Sequence, residues 1–172
     1  MRAEKISGKG FSLVETLITV AVMSILLGLA THEFGKWIVK SDIESQVAEL
    51  HGRLQAMRAE ANFRNRAHFL RLETGGYSVA ADTWPEAFGN GRLDDEDSEI
   101  VPYKEFRRPA NGGSVIKIDH RGFIPLNTAR TICFYSDVNP ATDCIVIHCA
   151  RTNTGKIRNQ RAACNAENCR VK

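Results

Sequence analysis

Three groups of residues in this 172-residue chain have the type and spacing to do chemistry. The first is Glu15, the one carboxylate inside the apolar run from Phe11 to Ala30. A charged side chain at the centre of a spanning helix costs about 2.5–3.5 kcal/mol even on mild insertion scales, so Glu15 needs a partner or a task. Gly10, a small residue, stands before the run, and a cut there would leave the apolar helix on the mature chain. The second group is Cys133, Cys144, Cys149, Cys164 and Cys169, all in the last quarter of the sequence. Their clustering behind a membrane span fits disulfides in an oxidising compartment, and the odd count leaves one thiol over or one bond between chains. The third group is basic: Arg151, Lys156, Arg158 and Arg161 could present three or four cations to a phosphate backbone, each adding a salt-dependent and sequence-independent increment to binding.

Other candidate sites are weaker. Cys144, His148 and Cys149 match no common zinc spacing, and disulfide formation competes for the thiols. The acidic run Asp94–Asp97 lacks the alternating ligands, turn glycine and distal glutamate of a calcium loop, and reads as a solvated loop. His32, His51, His68, His120 and His148 are scattered singly, and there is no Gly-rich phosphate loop. No catalytic residue, metal or cofactor is therefore expected. No aromatic residue follows Tyr135, so stacking of single-stranded bases by the basic segment is not supported.

The charge distribution says more than the formal net charge of +3. Between Asp82 and Glu105 eight acidic residues face two basic ones, whereas Arg151 to Lys172 holds six basic residues against Glu167 alone. A basic end beside an acidic middle suits a polyanion partner or simply a soluble terminus.

Elements must position these groups. Phe11–Ala30 spans roughly 30 Å as a helix, the thickness of a bilayer's hydrocarbon. Arg2, Lys5 and Lys9 ahead of it predict a cytoplasmic N-terminus and an exported remainder. Ile43, Val47, Leu50, Leu54, Met57 and Ala61 then recur at spacings of three and four, with Glu44, Glu49, Arg53, Arg58 and Glu60 on the other face. The first proline is Pro85, so one helix from Phe11 to about Arg64 is expected, its second half packing on a sheet. Beyond it the period changes to two. Short strands are predicted at 68–73, 77–81, 114–119, 122–126, 130–135, 144–150 and 155–158, with turns at Asn111–Gly113 and Asp119–Gly122 and an exposed loop over 89–99. This order argues for an α+β fold with antiparallel sheets.

The stretch "KGFSLVETLITVAVMSILLGLA" resembles the class III signal of type IV pilins and type II secretion pseudopilins. The resemblance implies cleavage between Gly10 and Phe11 by a prepilin peptidase and methylation of the new amino group. It also implies an assembly role for Glu15, whose carboxylate would neutralise the amine of a neighbouring subunit and favour correct register. "IKIDHRGFI" and "RTNTGKIR" are further similar to the GspH/FimT minor pilins, in which a turn with a glycine, here Gly122, precedes a strand and the last strand follows a Thr-Gly-Arg turn. Members of that group serving DNA uptake carry a Gly-Arg-x-Arg motif, which Gly155-Lys156-Ile157-Arg158 matches with lysine in place of the first arginine; lysine keeps the charge and loses the planar fork.

The reading is thus of a non-enzymatic pilin-like subunit. It has a leader over 1–10, a transmembrane and assembly helix over 11–31, an amphipathic continuation over 32–65 and a β-rich domain over 66–172. Its implied partners are other pilins or pseudopilins, the prepilin peptidase, the bacterial inner membrane and, as the alternative function, double-stranded DNA. The globular domain would lie in the periplasm. Cys164 and Cys169 could close a small loop, as pilins often do near the C-terminus, and Cys133 and Cys144 could bridge the hairpin that they flank. Alternation along the strand places Cys149 on the face opposite Cys144.

Overall fold

The computed structural model describes residues 12–83 and 89–171. A single helix, α1 (Leu13–Arg64), is followed by eight strands: β1 (His68–Glu73), β2 (Gly76–Ala81), β3 (Ser98–Glu105), β4 (Ser114–Ile118), β5 (Thr131–Cys133), β6 (Cys144–Ile147), β7 (Thr152–Ile157) and β8 (Cys169–Val171). Pairing is antiparallel throughout, in one sheet of order β3-β2-β1-β4 and a second of order β5-β6-β7-β8. The fold is α+β. The chain divides into two compact units, Met1–Ile38 and Val39–Lys172, with the division falling within α1.

In the first unit α1 carries its apolar side chains outward: Leu17, Val20, Met23, Leu26 and Leu27 are all exposed. The side chain of Ser12 caps this helix, its Oγ accepting the N–H of Glu15 at 3.2 Å. That is the serine half of a capping box, with Glu15 three residues on.

In the second unit the stripe Ile43, Val47, Leu50, Leu54, Met57 and Ala61 is fully buried. It shares one core with Leu70, Leu72, Val79, Ile116 and Ile118 of the first sheet and Ile132, Phe134, Ile145 and Ile147 around the second. The opposite helix face is not simply solvated, because its polar residues grip both sheets. Glu49 accepts from Tyr77 Oη at 3.0 Å and also pairs with Lys104. Arg58 Nη2 donates to the His148 carbonyl at 3.1 Å and Thr152 Oγ1 at 3.0 Å. Gln46 holds Arg108 at both its N–H and its carbonyl.

Several strand expectations need correction. Residues 122–126 form no strand: Gly122 takes a left-handed φ of 81° and closes a turn on the Asp119 carbonyl, and Pro125, which has no N–H, leads into a 3-10 turn at Leu126–Thr128. A Cβ on Gly122 would lie 3.0 Å from the Arg58 carbonyl, so the turn sits hard against α1. Strands β3 and β8 were not expected. In β3, Pro102 and mostly exposed charged residues hide the period-two signal, as on a protected sheet edge. The segment 155–158 is neither the last strand nor preceded by a turn, since Gly155 pairs with Cys144 on one side and Val171 on the other.

Candidate assembly helix and basic strand

Of the assembly residues, Glu15 lies in the first turn of α1, where the helix dipole favours a carboxylate, and its side chain is exposed. Gly10 and Phe11 lie outside the described residues. Ser12 was not singled out in the sequence, although the S-x-x-E pattern of Ser12 and Glu15 at the head of an apolar run is a helix-start signal.

The basic residues are placed by the second sheet. Lys156 stands directly opposite Arg170 in the β7–β8 pairing, so the two cations share a face of the sheet. Arg158 follows the end of β7, its N–H continuing the pairing to the Asn168 carbonyl at 2.8 Å. Arg161 is exposed in the next turn, its N–H bound by Asn159 Oδ1 at 3.0 Å. Lys156, Arg158, Arg161 and Arg170 make no ion pair at salt-bridge distance among the described residues. Arg151 does not join them: it precedes β7 at the other end, about 23 Å of extended chain from Arg158. Arg170, placed by β8, stands with the other three cations, whereas Arg151 lies apart from them.

The buried carboxylate of Asp143 fixes this end of the sheet. Its Oδ1 accepts the Ile157 N–H at 2.5 Å and its Oδ2 accepts from Gln160 Nε2 at 2.8 Å. Burial pushes its pKa up, while those two donors and the nearby Lys156 charge work the other way.

The cysteines pair differently from both expectations. Cys133 bonds to Cys164, and Cys144 to Cys169. Cys133 and Cys144 are direct partners across the β5–β6 hairpin. Directly opposed strand residues keep their Cβ atoms about 4.5–5.5 Å apart, wider than a disulfide's usual 3.5–4.5 Å. Each instead reaches a cysteine on the segment after β7, and together with Val146 and Ile157 they form a second small core on the far face of the sheet. Cys149 is free and half-buried. Among the described residues no group of three His, Cys, Asp or Glu side chains is arranged to hold a metal ion.

The acidic segment folds on itself. Asp82, buried, accepts from the N–H groups of Asn90 at 3.0 Å and Gly91 at 2.6 Å, and Asp97 accepts from Thr83 and Asp94 at 2.9 Å each. These carboxylates serve as turn acceptors.

Residues 7–31 match the family described as the prokaryotic N-terminal methylation motif. An N-terminal methylation motif heading a long apolar helix, followed by antiparallel sheets, is an α+β architecture consistent with a pilin-like fold. The chain is similar to type II secretion system protein H of Pseudomonas aeruginosa, at 32% identity over 73 residues, which is 42% of each chain. The chain therefore spans less than half the length of that curated relative in the match. Together these findings support a GspH-like pseudopilin. No solved structure matches the chain.

Proposed function

We propose that this chain is a minor pseudopilin or minor pilin, processed by a prepilin peptidase and assembled through its N-terminal helix into a type II secretion or type IV pilus filament. The observation that carries the reading is the methylation motif over residues 7–31 at the head of a helix whose apolar side chains are left exposed. Cleavage after Gly10 gives Phe11 a new amino group about one helical turn from Glu15. The Glu15 carboxylate of an incoming subunit then pairs with the amine of its neighbour, which offsets the cost of burying either charge alone. Before assembly the helix sits in the inner membrane, with the β-rich domain in the periplasm. The domain limits follow: leader 1–10, membrane and assembly helix 11–31, amphipathic helix 32–65, globular domain 66–172.

The test is co-expression with and without an active prepilin peptidase, followed by mass spectrometry of the chain. The expected product begins at Phe11 and carries one extra methyl group; an intact Met1 chain beside active peptidase would overturn the reading. Glu15→Ala should still be inserted and cut, yet enter filaments poorly. Normal incorporation of that variant would remove the pairing role of Glu15.

A second reading, a DNA-uptake pilin, is favoured by one observation: Lys156 and Arg170 are held side by side with no ion pair among the described residues, and Arg158 and Arg161, which follow β7, are exposed. Like charges directly opposite each other on a sheet are unfavourable unless an anion is brought to them. Double-stranded DNA binding that weakens steeply with salt and disappears in a Lys156→Ala, Arg158→Ala, Arg161→Ala variant would support it. A folded protein that fails to bind at low salt would exclude it.

A further inference from the structure

The first unit of the chain carries a second pattern after its apolar run. The rings of Phe34 and Trp37 stack with centroids 5.8 Å apart and planes at 23°, and each residue remains 60% exposed. Beside them Lys36 Nζ reaches Glu33 Oε1 at 3.0 Å, again on the exposed surface. These four residues all belong to the unit Met1–Ile38.

Their distance along the helix is informative. From Leu13 to Glu33 is about 30 Å of helix, one hydrocarbon thickness, and Trp37 lies about 6 Å further on. The aromatic pair therefore falls where a helix that has crossed the hydrocarbon would enter the zone of polar head groups. The change in chemistry occurs at the same place. From Thr16 to Gly28 the helix carries aliphatic side chains and hydroxyls bonded back to its own carbonyls, and Thr31 Oγ1 continues this with a bond to Gly28 O at 2.9 Å. Among the described residues the first ion pair along the helix begins at Glu33. An indole has an apolar body and one N–H donor, which suits a site apolar on one side and wet on the other. Lysine can lay its stem along lipid while its ammonium stays in water.

We propose that Phe34 and Trp37, flanked by the Glu33–Lys36 pair, form an interfacial collar that seats on the far head-group layer of a bilayer and fixes the depth of the helix. This rests on the reading that the N-terminal helix occupies a membrane before assembly. The lipid interface is favoured over a protein groove because the exposed rings lie on the same helix as the exposed apolar run, one bilayer core from its start. The collar gives the membrane-resident subunit a defined register, and extraction into a filament must lift the two rings out of the interface.

The test uses the full chain with Trp84→Phe, leaving Trp37 as the sole tryptophan. It is reconstituted into phosphatidylethanolamine–phosphatidylglycerol vesicles containing a nitroxide either near the head group or near the bilayer centre. Flotation of the vesicles is read first. The expected result is a floating protein whose blue-shifted fluorescence is quenched several-fold more by the shallow nitroxide than by the deep one. The reciprocal Trp37→Phe variant, which keeps Trp84, should lose that shallow quenching and controls for any disturbance caused by the first substitution. A floating protein with equal, deeper or absent quenching overturns the collar while leaving the membrane helix intact. A protein that does not float overturns both.

Discussion

Asn111 Oδ1 accepts the N–H of Cys133 at 2.6 Å while the Asn111 N–H donates to the Cys133 carbonyl at 3.1 Å. One residue thereby occupies the open edge of β5 as a strand would. Its Nδ2 also donates to the Thr131 carbonyl at 3.1 Å. Neighbouring residues tie to the first sheet, Ala110 through the Thr74 carbonyl and Gly113 through the Leu72 carbonyl. Asn111 thus joins two sheets that share no strand. Asn111→Ala should cost about 1–3 kcal/mol, because the buried Cys133 N–H loses its only acceptor among the described residues. Denaturant unfolding of the purified chain measures this, and an unchanged midpoint would mean that the seam is held by the shared core alone.

The two disulfides hold the segment after β7 onto the second sheet, closing loops of 31 and 25 residues in sequence separation. Loops of that size correspond to about 3–4 kcal/mol of stabilisation in the chain-entropy account. Cys144→Ser together with Cys169→Ser should lower stability by about that amount and loosen β8, taking Arg170 away from Lys156. Peptide mapping without reduction should return Cys133–Cys164 and Cys144–Cys169 and leave Cys149 open to alkylation. A Cys164–Cys169 peptide would contradict this pairing.

Much of the fold could be read from the sequence because its strongest signals are periodic and local. The helical stripe from Ile43 to Ala61 and the strand at His68–Glu73 lie where their patterns place them. What could not be read depends on pairing at a distance. Strand β8 is three residues long, and Cys169 and Arg170 become meaningful only when it lies beside β7. The hairpin suggested Cys133–Cys144 and the pilin resemblance Cys164–Cys169, whereas the observed bonds join Cys133 to Cys164 and Cys144 to Cys169. Glu15 and Gly10 stood out because a charge and a small residue bracket a long apolar run. The sequence shows the basic residues but not their grouping, since strand pairing sets Arg170 beside Lys156 and leaves Arg151 at the far end of β7.

Two glycines predict opposite outcomes. Gly155 lies inside β7, where a Cβ would come within 2.6 Å of the Arg170 carbonyl and 2.8 Å of Cys169 Sγ. The side chain is missing so that β8 and its disulfide can close on β7. Gly155→Ala forces the backbone at Arg170 to shift and should destabilise by about 1–3 kcal/mol. Gly52, on an exposed face of α1, has nothing within 4 Å of the same hypothetical atom. Gly52→Ala should stabilise by about 0.5–1 kcal/mol, through helix propensity and a less flexible unfolded chain. Paired thermal melts would test both, and a neutral Gly155→Ala would show that β8 is loosely held.

Acid should weaken the globular unit through His68. This residue is fully buried, its Nδ1 3.2 Å from the Arg66 carbonyl and its Nε2 without a partner among the described residues. Burial pushes its pKa below the ordinary value, opposed by the Arg66 carbonyl and by Glu60, and assisted by Arg64 and Arg53. The unfolded chain takes up its proton near pH 6.5, whereas the native ring does so only at lower pH. As pH falls below about 6.5 the unfolded state therefore binds more protons and stability declines, levelling off below the native pKa. Asp143 acts in a lower window and in the opposite sense. Burial raises its pKa, so ionisation above about pH 3.8 opposes folding and acidification through that range relieves the cost. The denaturation midpoint should fall between pH 7 and pH 5 in the native chain and fall less in His68→Gln, which keeps a donor for the Arg66 carbonyl. Equal pH slopes for the two proteins would mean that His68 is not the group whose protonation unsettles the fold.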